Sequence, residues 1–337
     1  MDGELRADLQ AAGVEVVVRP LAVLRRAAMS PAGLARITAT LARDAGGIGR
    51  LARGRGAALI HTNTSVTLGG AAAARVAGIP HVWHVREIYA GFERVWPAYR
   101  RLLLTAARLP CVSAATAAQF AGDPRAVVLH DGLGVAPVRG ERAAARAALG
   151  LPADAFVCAI LGRVSTWKGQ DVLIRALAGL GAGDRSVVLV AGDAWLGEEA
   201  RVQELHELAA SLGVDERVHF AGFRPDVENV YGAADVVAVP STQPDPLPNS
   251  ALEAAAAGCC VVAAAHGGLP EIVSDGATGV LVTPGDPAAL TAALARLRDD
   301  PALRARLGAA AAADVRARFA PALFLERTQA LYDELLG

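Results

Sequence analysis

At 337 residues the chain is longer than one ordinary hydrophobic core organises, and its 53% apolar content is ample for two domains. No uncharged apolar run approaches the roughly 18 residues that span a bilayer, and the acidic start Met1-Asp2-Gly3-Glu4 argues against a secretory leader, so a cytoplasmic protein is expected. The net charge of −1 hides two halves of opposite sign: residues 1–150 carry 19 Arg against 10 Asp+Glu (+9), and the remainder carries 14 basic against 24 acidic residues (−10).

In chain order, Leu9-Gln10-Ala11-Ala12-Gly13 reads as a helix end, and the β-branched run 14–18 as a strand. Residues 31–53 predict a long helix with Ser30 as N-cap and Pro31 at its first position. There follow a strand over 57–61, a helix over 65–77 ending at Gly78, a strand over 81–85, a helical segment over 93–108 and short strands at 109–112 and 126–129. Pro137, Gly140, Gly150 and Pro152 interrupt the pattern and mark a domain boundary. Beyond it, strands are expected at 156–161, 187–191, 218–220, 236–239, 260–264 and 280–282, and helices at 171–180, 198–212, 249–257 and 287–298. Strands alternating with helices argue for a doubly wound parallel sheet. Cys111, Cys158, Cys259 and Cys260 lie in or beside apolar runs without metal-site spacing, and read as small buried hydrophobes in a reducing compartment.

Two stretches carry the chemistry. Gly162-Arg163-Val164-Ser165-Thr166-Trp167-Lys168-Gly169 follows a buried strand and precedes a helix, a place where backbone N–H groups and cations meet a phosphate. Lys168 is the only lysine against 32 arginines. The second stretch, Pro240 to Gly258, also leaves a strand and opens a helix. Pro248 is expected near the first helical position, with the N–H groups of Asn249 and Ser250 aimed at the crevice. Asp245 and Glu253 then look toward one ligand from opposite ends; taken alone, a turn aspartate and a solvated glutamate explain them equally well.

Together, Gly162-Arg163-x4-Lys168-Gly169, Pro240-Ser241, Asp245-x7-Glu253-Ala254, Gly258 and Gly267-Gly268-Leu269-Pro270-Glu271-Ile272-Val273 resemble the signature of family 4 retaining glycosyltransferases with the GT-B fold. The resemblance implies an α/β protein of two Rossmann-like domains facing a cleft: an acceptor-side domain over 1–140, a donor domain over 151–313 and a final helix in 314–337 bracing back to the first. It implies transfer from a nucleoside diphosphate sugar with retention of configuration, without a metal or other cofactor, in polysaccharide or glycolipid biosynthesis. No Asp-x-Asp cluster offers a metal site. Arg163 and Lys168 would hold the diphosphate, Glu253 the ribose, and Gly162, Asn249 and Ser250 would complete the donor site. Gly222 and Phe223 would border the base. Asp245, where many members have Glu, would lie near the donor sugar, and Glu271 is expected only to cap the following helix.

In the first half, His84 matches the histidine that members place near the transferred sugar, against the commoner reading of a lone histidine as a satisfied polar residue. His61, Asn63, Arg86 and Glu87 are weaker acceptor-side candidates, and His130-Asp131-Gly132 reads as a hinge-side turn. The acceptor class stays open among saccharide, lipid and small molecule; nucleic acid is not expected. Arg94 to Arg108 mixes aromatic, leucine and arginine residues, which allows peripheral contact with the inner membrane face, although an amphipathic helix packed on the sheet is the preferred reading.

Members normally open with a strand and a Gly-Gly loop. Against that plan one strand-helix-strand unit, on the order of 40 residues, is expected to be missing, through a misplaced start or true truncation. Two rival functions follow: a nucleotide-sugar epimerase on the same fold, and a truncated, non-catalytic nucleotide-sugar-binding protein.

Overall fold

The computed structural model describes residues 4–24, 30–195 and 197–337. The chain divides into two compact units, residues 1–84 with 101–109, and residues 85–100 with 110–337. Among the described residues no helix is long and apolar enough to cross a membrane.

The first unit opens with α1 (Glu4–Ala11). The run 14–18, expected as a strand, joins no sheet among the described residues. β-Branched side chains favour extended backbone, but a strand also needs a neighbour to complete its ladder. In α2 (Pro31–Gly54) the Ser30 hydroxyl accepts a hydrogen bond from Gly33 N at 3.1 Å and Pro31 takes the first helical position, as expected. Next come β1 (Ile60–Asn63), α3 (Gly69–Ala77) and β2 (His81–His84). The third helix starts four residues later than Ser65. Val66 O instead accepts from Leu24 N at 2.8 Å, and Leu68 N donates to Ala22 O at 2.9 Å, which ties these backbone groups to the preceding segment. Strands β1 and β2 run parallel, with Asn63 opposite His84. The expected 93–108 helix is shorter, α4 (Trp96–Leu103), and β3 (Leu109–Cys111) follows it; the division between the units runs through both.

Burial sets a pH dependence here. His81 is 6% exposed, with Nε2 2.8 Å from Thr62 Oγ1. Burial, aided by the charges of Arg75 and His61, pushes its pKa down to about 4. The folded value lies below the unfolded one, so its contribution to stability is complete above about pH 6.5 and drains away as pH falls toward 4. That window corresponds to roughly 3 kcal/mol. Hydrogen exchange of β1 and β2 amides at pH 7 and pH 5 is expected to show the loss, and His81→Phe to flatten it.

The second unit continues with α5 (Ala114–Ala118), β4 (Ala126–Val128), which pairs with β3, and α6 (Arg142–Ala148). Then come β5 (Val157–Leu161), α7 (Gln170–Gly179), β6 (Val187–Ala191), α8 (Ala200–Ser211), β7 (Val218–Gly222), α9 (Val227–Ala233) and β8 (Val236–Val239). The chain closes with α10 (Asn249–Ala256), β9 (Cys260–Ala264), α11 (Leu269–Ile272), β10 (Gly279–Val282), α12 (Pro287–Asp299), α13 (Pro301–Arg318) and α14 (Pro321–Leu336). Six strands form one parallel sheet in the order β10-β9-β8-β5-β6-β7. The strands are apolar on both faces because helices cover both. Val157 and Ala159 pack toward residues of α9, α10 and α13, while Cys158 and Ile160 pack toward α7, α8 and α12. All four cysteines are buried and unbridged.

Candidate functional site

Sheet order reverses at β5, whose neighbours are β6 on one side and β8 on the other. Loops leaving β5 and β8 therefore part to opposite faces and open a crevice at the strand carboxyl ends, the usual ligand position in such sheets. A cavity of about 450 Å³ lies there, walled by Gly162, Arg163, Asp193, Trp195, Phe223, Arg224, Asn249, Ser250 and Glu253 among others.

Close backbone approach shapes its floor. Gly192 has φ +146°, and a Cβ on it would fall 2.0 Å from Gly162 O. Gly169, at φ +81°, caps α7 and would set a Cβ 2.1 Å from Pro240 O, so the loops after β5 and β8 touch only because this residue lacks a side chain.

Arg163 stacks its guanidinium 4.3 Å from the Trp195 ring centroid, and its carbonyl accepts from Gln170 Nε2 at 3.1 Å. Lys168 Nζ donates to Asp245 Oδ2 at 2.6 Å and sits 4.3 Å from the Trp167 ring; this pair is not among the residues walling the cavity. The Asp245 side chain is only 8% exposed, and its carbonyl accepts from Gly268 N at 2.8 Å, which ties the Gly267-Gly268 turn to the same loop. Pro248 is not at the first helical position but is the N-cap of α10, with φ −71° and ψ 118°. A cap's own N–H lies outside the helix ladder, so proline costs nothing there. Asn249 and Ser250 become the first two helical residues, whose N–H groups have no intrahelical acceptor. Glu253 stands one turn on, its Oε2 accepting from Tyr231 OH at 2.9 Å. Gly222 has φ +64°, and Phe223, 71% exposed, donates its N–H to Asp193 Oδ1 at 3.1 Å.

Glu271 does not cap the helix that follows it. It lies inside α11 and accepts from Ala114 N (2.8 Å) and Ala115 N (3.0 Å), the first donors of α5, with His130 Nε2 at 2.8 Å. Burial pushes its pKa up, but those donors outweigh it and hold the carboxyl below its usual range. Asp131 pairs with both terminal guanidinium nitrogens of Arg86, and Gly132 packs on Pro321 and Phe324 of α14. Glu87 accepts from Arg86 N at 3.1 Å. Trp96 stacks on Tyr89 at 4.8 Å and meets Phe120 at 5.7 Å. In the first unit, the His84 ring is buried 5.6 Å from that of His61, whose pKa burial lowers.

Sequence reasoning missed Asp193, Trp195, Arg224 and Tyr231. Gly192, the glycine that ends the 187–191 run, marks the first two in the way Gly162 marks Arg163. Tyr231 has no such marker, because the seven-residue α9 is too short for its periodicity to show.

A six-stranded, doubly wound parallel sheet with a largely apolar cavity at its switch point, edged by Arg163, Asp193, Arg224 and Glu253, defines an α/β protein of the Rossmann-like class, in which ligands bind at that point. Residues 141–314, just over half of the chain, match the family of glycosyl transferases group 1, and the chain belongs to that family. It is 47% identical over 175 residues to a D-inositol 3-phosphate glycosyltransferase of Saccharomonospora viridis, covering 50% of this chain and 40% of that one. The matched stretch thus spans less than half the length of this curated relative. Among solved structures it is similar to HepE of Anabaena in complex with UDP (TM-score 0.84, 28% identity, 99% of this chain and 90% of that one). It is also similar to sucrose-phosphate synthase of Thermosynechococcus elongatus (TM-score 0.75, 26% identity, 88% and 78%). The fold is that of GT-B glycosyltransferases.

Proposed function

We propose that the protein transfers a glycosyl group from a nucleoside diphosphate sugar to an acceptor with retention of configuration and without a metal. The observation that carries this reading is the convergence of Arg163, the α10 N-terminus and Glu253 on one cavity at the switch point of the sheet. A concave site of this volume, largely apolar with a few charged groups at fixed places, suits a small-molecule ligand with an apolar body and a charged end. The match to HepE, solved with UDP and with UDP-glucose, supports the same ligand class.

Arg163, Lys168 and the N–H groups of Asn249 and Ser250 bind the diphosphate, and Glu253 accepts from the ribose hydroxyls. Asp245 faces the donor sugar, Gly162 gives the phosphates room, and Gly222 with Phe223 borders the base. The bond from the anomeric carbon to the diphosphate breaks as the acceptor oxygen bonds that carbon on the same face. The departing phosphate oxygen takes the acceptor proton. Cations and helix N–H groups stabilise the charge that grows on the leaving group, which is the work a metal does elsewhere. His84 serves beside the transferred sugar, with His61, Asn63, Arg86 and Glu87 on the acceptor side. Likeness to D-inositol 3-phosphate glycosyltransferases makes a phosphorylated polyol the first acceptor to test, ahead of saccharides and lipids. The reading keeps the protein in the cytoplasm, with peripheral contact at the inner membrane face through residues 94–108 as a further part of it.

A thermal-shift screen of UDP-, GDP-, ADP- and TDP-sugars tests the donor site: saturation at about 100 times Kd stabilises the protein by about 2.7 kcal/mol. Product NMR with the active donor is expected to show the donor's anomeric configuration retained, and excess EDTA to leave the rate unchanged. A stabilised protein that gives neither hydrolysis nor transfer with any acceptor class would make it a binding protein instead.

A further inference from the structure

Tyr231 is wholly buried in the core beneath the cavity, yet its hydroxyl reaches Glu253 Oε2 at 2.9 Å. Glu253 is half-buried and walls the cavity, and its other oxygen, Oε1, has no hydrogen-bond partner among the described residues. A glutamate carboxylate turns freely about its last torsion unless something holds it. Here the holder is rigid: α9 is locked to the sheet by Val230, Tyr231 and Ala233, all fully buried, and Arg139 Nε donates to the Tyr231 carbonyl at 3.1 Å. Burial, with the Glu253 charge beside it, also pushes the Tyr231 pKa upward, so the phenol stays a donor through the working pH range.

We infer that Tyr231 is a positioning residue: its hydroxyl pins one Glu253 oxygen so that the other is presented as an acceptor to a vicinal diol of the bound nucleotide. This rests on the proposed reading of the cavity. Such a device makes ribose recognition depend on a residue that touches no ligand. Losing the pin lets the carboxylate rotate and weakens the diol contact, while phosphate contacts through Arg163 are untouched.

The experiment is calorimetric titration of wild type and Tyr231→Phe with UDP and with 2′,3′-dideoxy-UDP, using GDP or ADP and their dideoxy forms if UDP does not bind. Phenylalanine keeps the ring that fills the core, and a melting curve accompanies each variant. Wild type is expected to bind the dideoxy form about tenfold more weakly than the parent, the worth of hydrogen bonds to a charged group. In Tyr231→Phe the parent nucleotide should weaken and the ratio between the two ligands should fall toward one. Glu253→Ala should abolish the ratio by itself, and adding Tyr231→Phe to it should change nothing further. A ratio that is equal in wild type and Tyr231→Phe overturns the inference while leaving the cavity's reading intact. Failure of wild type to bind any of these nucleotides overturns both. A purely structural role for Tyr231 would lower the melting temperature without moving the ratio, and that outcome also overturns the inference.

Discussion

Lys168→Ala is expected to abolish the thermal shift produced by the cognate nucleotide sugar and to slow transfer by about 10² to 10³-fold, the usual loss when one group facing developing negative charge is removed. The substitution has a second consequence. Lys168 Nζ is 2.6 Å from Asp245 Oδ2, whose side chain is 8% exposed, so alanine leaves a nearly buried carboxylate without its cation. That alone costs about 1 to 3 kcal/mol. The two effects separate in the double variant Lys168→Ala/Asp245→Asn, which removes both charges together. It should recover most of the stability in urea denaturation and none of the donor binding. Lys168→Arg should keep the charge but fit a point contact poorly, with intermediate activity. Unchanged nucleotide-sugar shifts in Lys168→Ala would sink the donor-site assignment.

Asp235→Ala is expected to cost about 3 to 5 kcal/mol, the range for removing one partner of a buried ion pair. Asp235 lies just before β8, and its Oδ2 accepts from Arg146 Nη2 at 2.8 Å and from Val157 N at 2.9 Å. Arg142 Nη1 donates to Oδ1 at 2.6 Å. Arg146 is 1% exposed and also donates to the Ala233 carbonyl at 3.2 Å, so it cannot swing into water when the carboxylate is lost. Its charge then stays buried with only carbonyl partners. Replacing both residues with apolar ones, as in Asp235→Ala/Arg146→Met, should recover most of the loss, because removing a buried pair whole is often close to neutral. Urea unfolding of the two variants measures this directly. Equal destabilisation in single and double variants would show that the site depends on shape and not on charge.

The legibility of each element in the sequence depends on the kind of signal it carries. In the second unit, the runs 187–191, 236–239 and 260–264 are legible to the residue, because buried parallel strands are continuous apolar runs; Ser186 and Gly192 bound the first and Asp235 and Pro240 the second, while Gly258 and His266 stand one residue outside the third. The Ser30-Pro31 start of α2 is equally clear, since capping chemistry is local. The helix α13 is not legible, because Ala309 to Ala313 has no apolar stripe against a polar one. Run 14–18 misleads because β-propensity says nothing about whether a partner strand is present.

Residue order alone determined the doubly wound class and the loops that bear Arg163, Lys168, Asp245, Asn249, Ser250 and Glu253. Strand–loop–helix punctuation and single charged residues are written locally. Tertiary structure decided what those residues touch. It paired Lys168 with Asp245, turned Glu271 toward the α5 amides, brought Trp195 over Arg163 and set Tyr231 against Glu253. Each of these contacts joins residues from different loops or helices. Which of them meet depends on the order of strands in the sheet, a property of the packed chain that no single stretch carries.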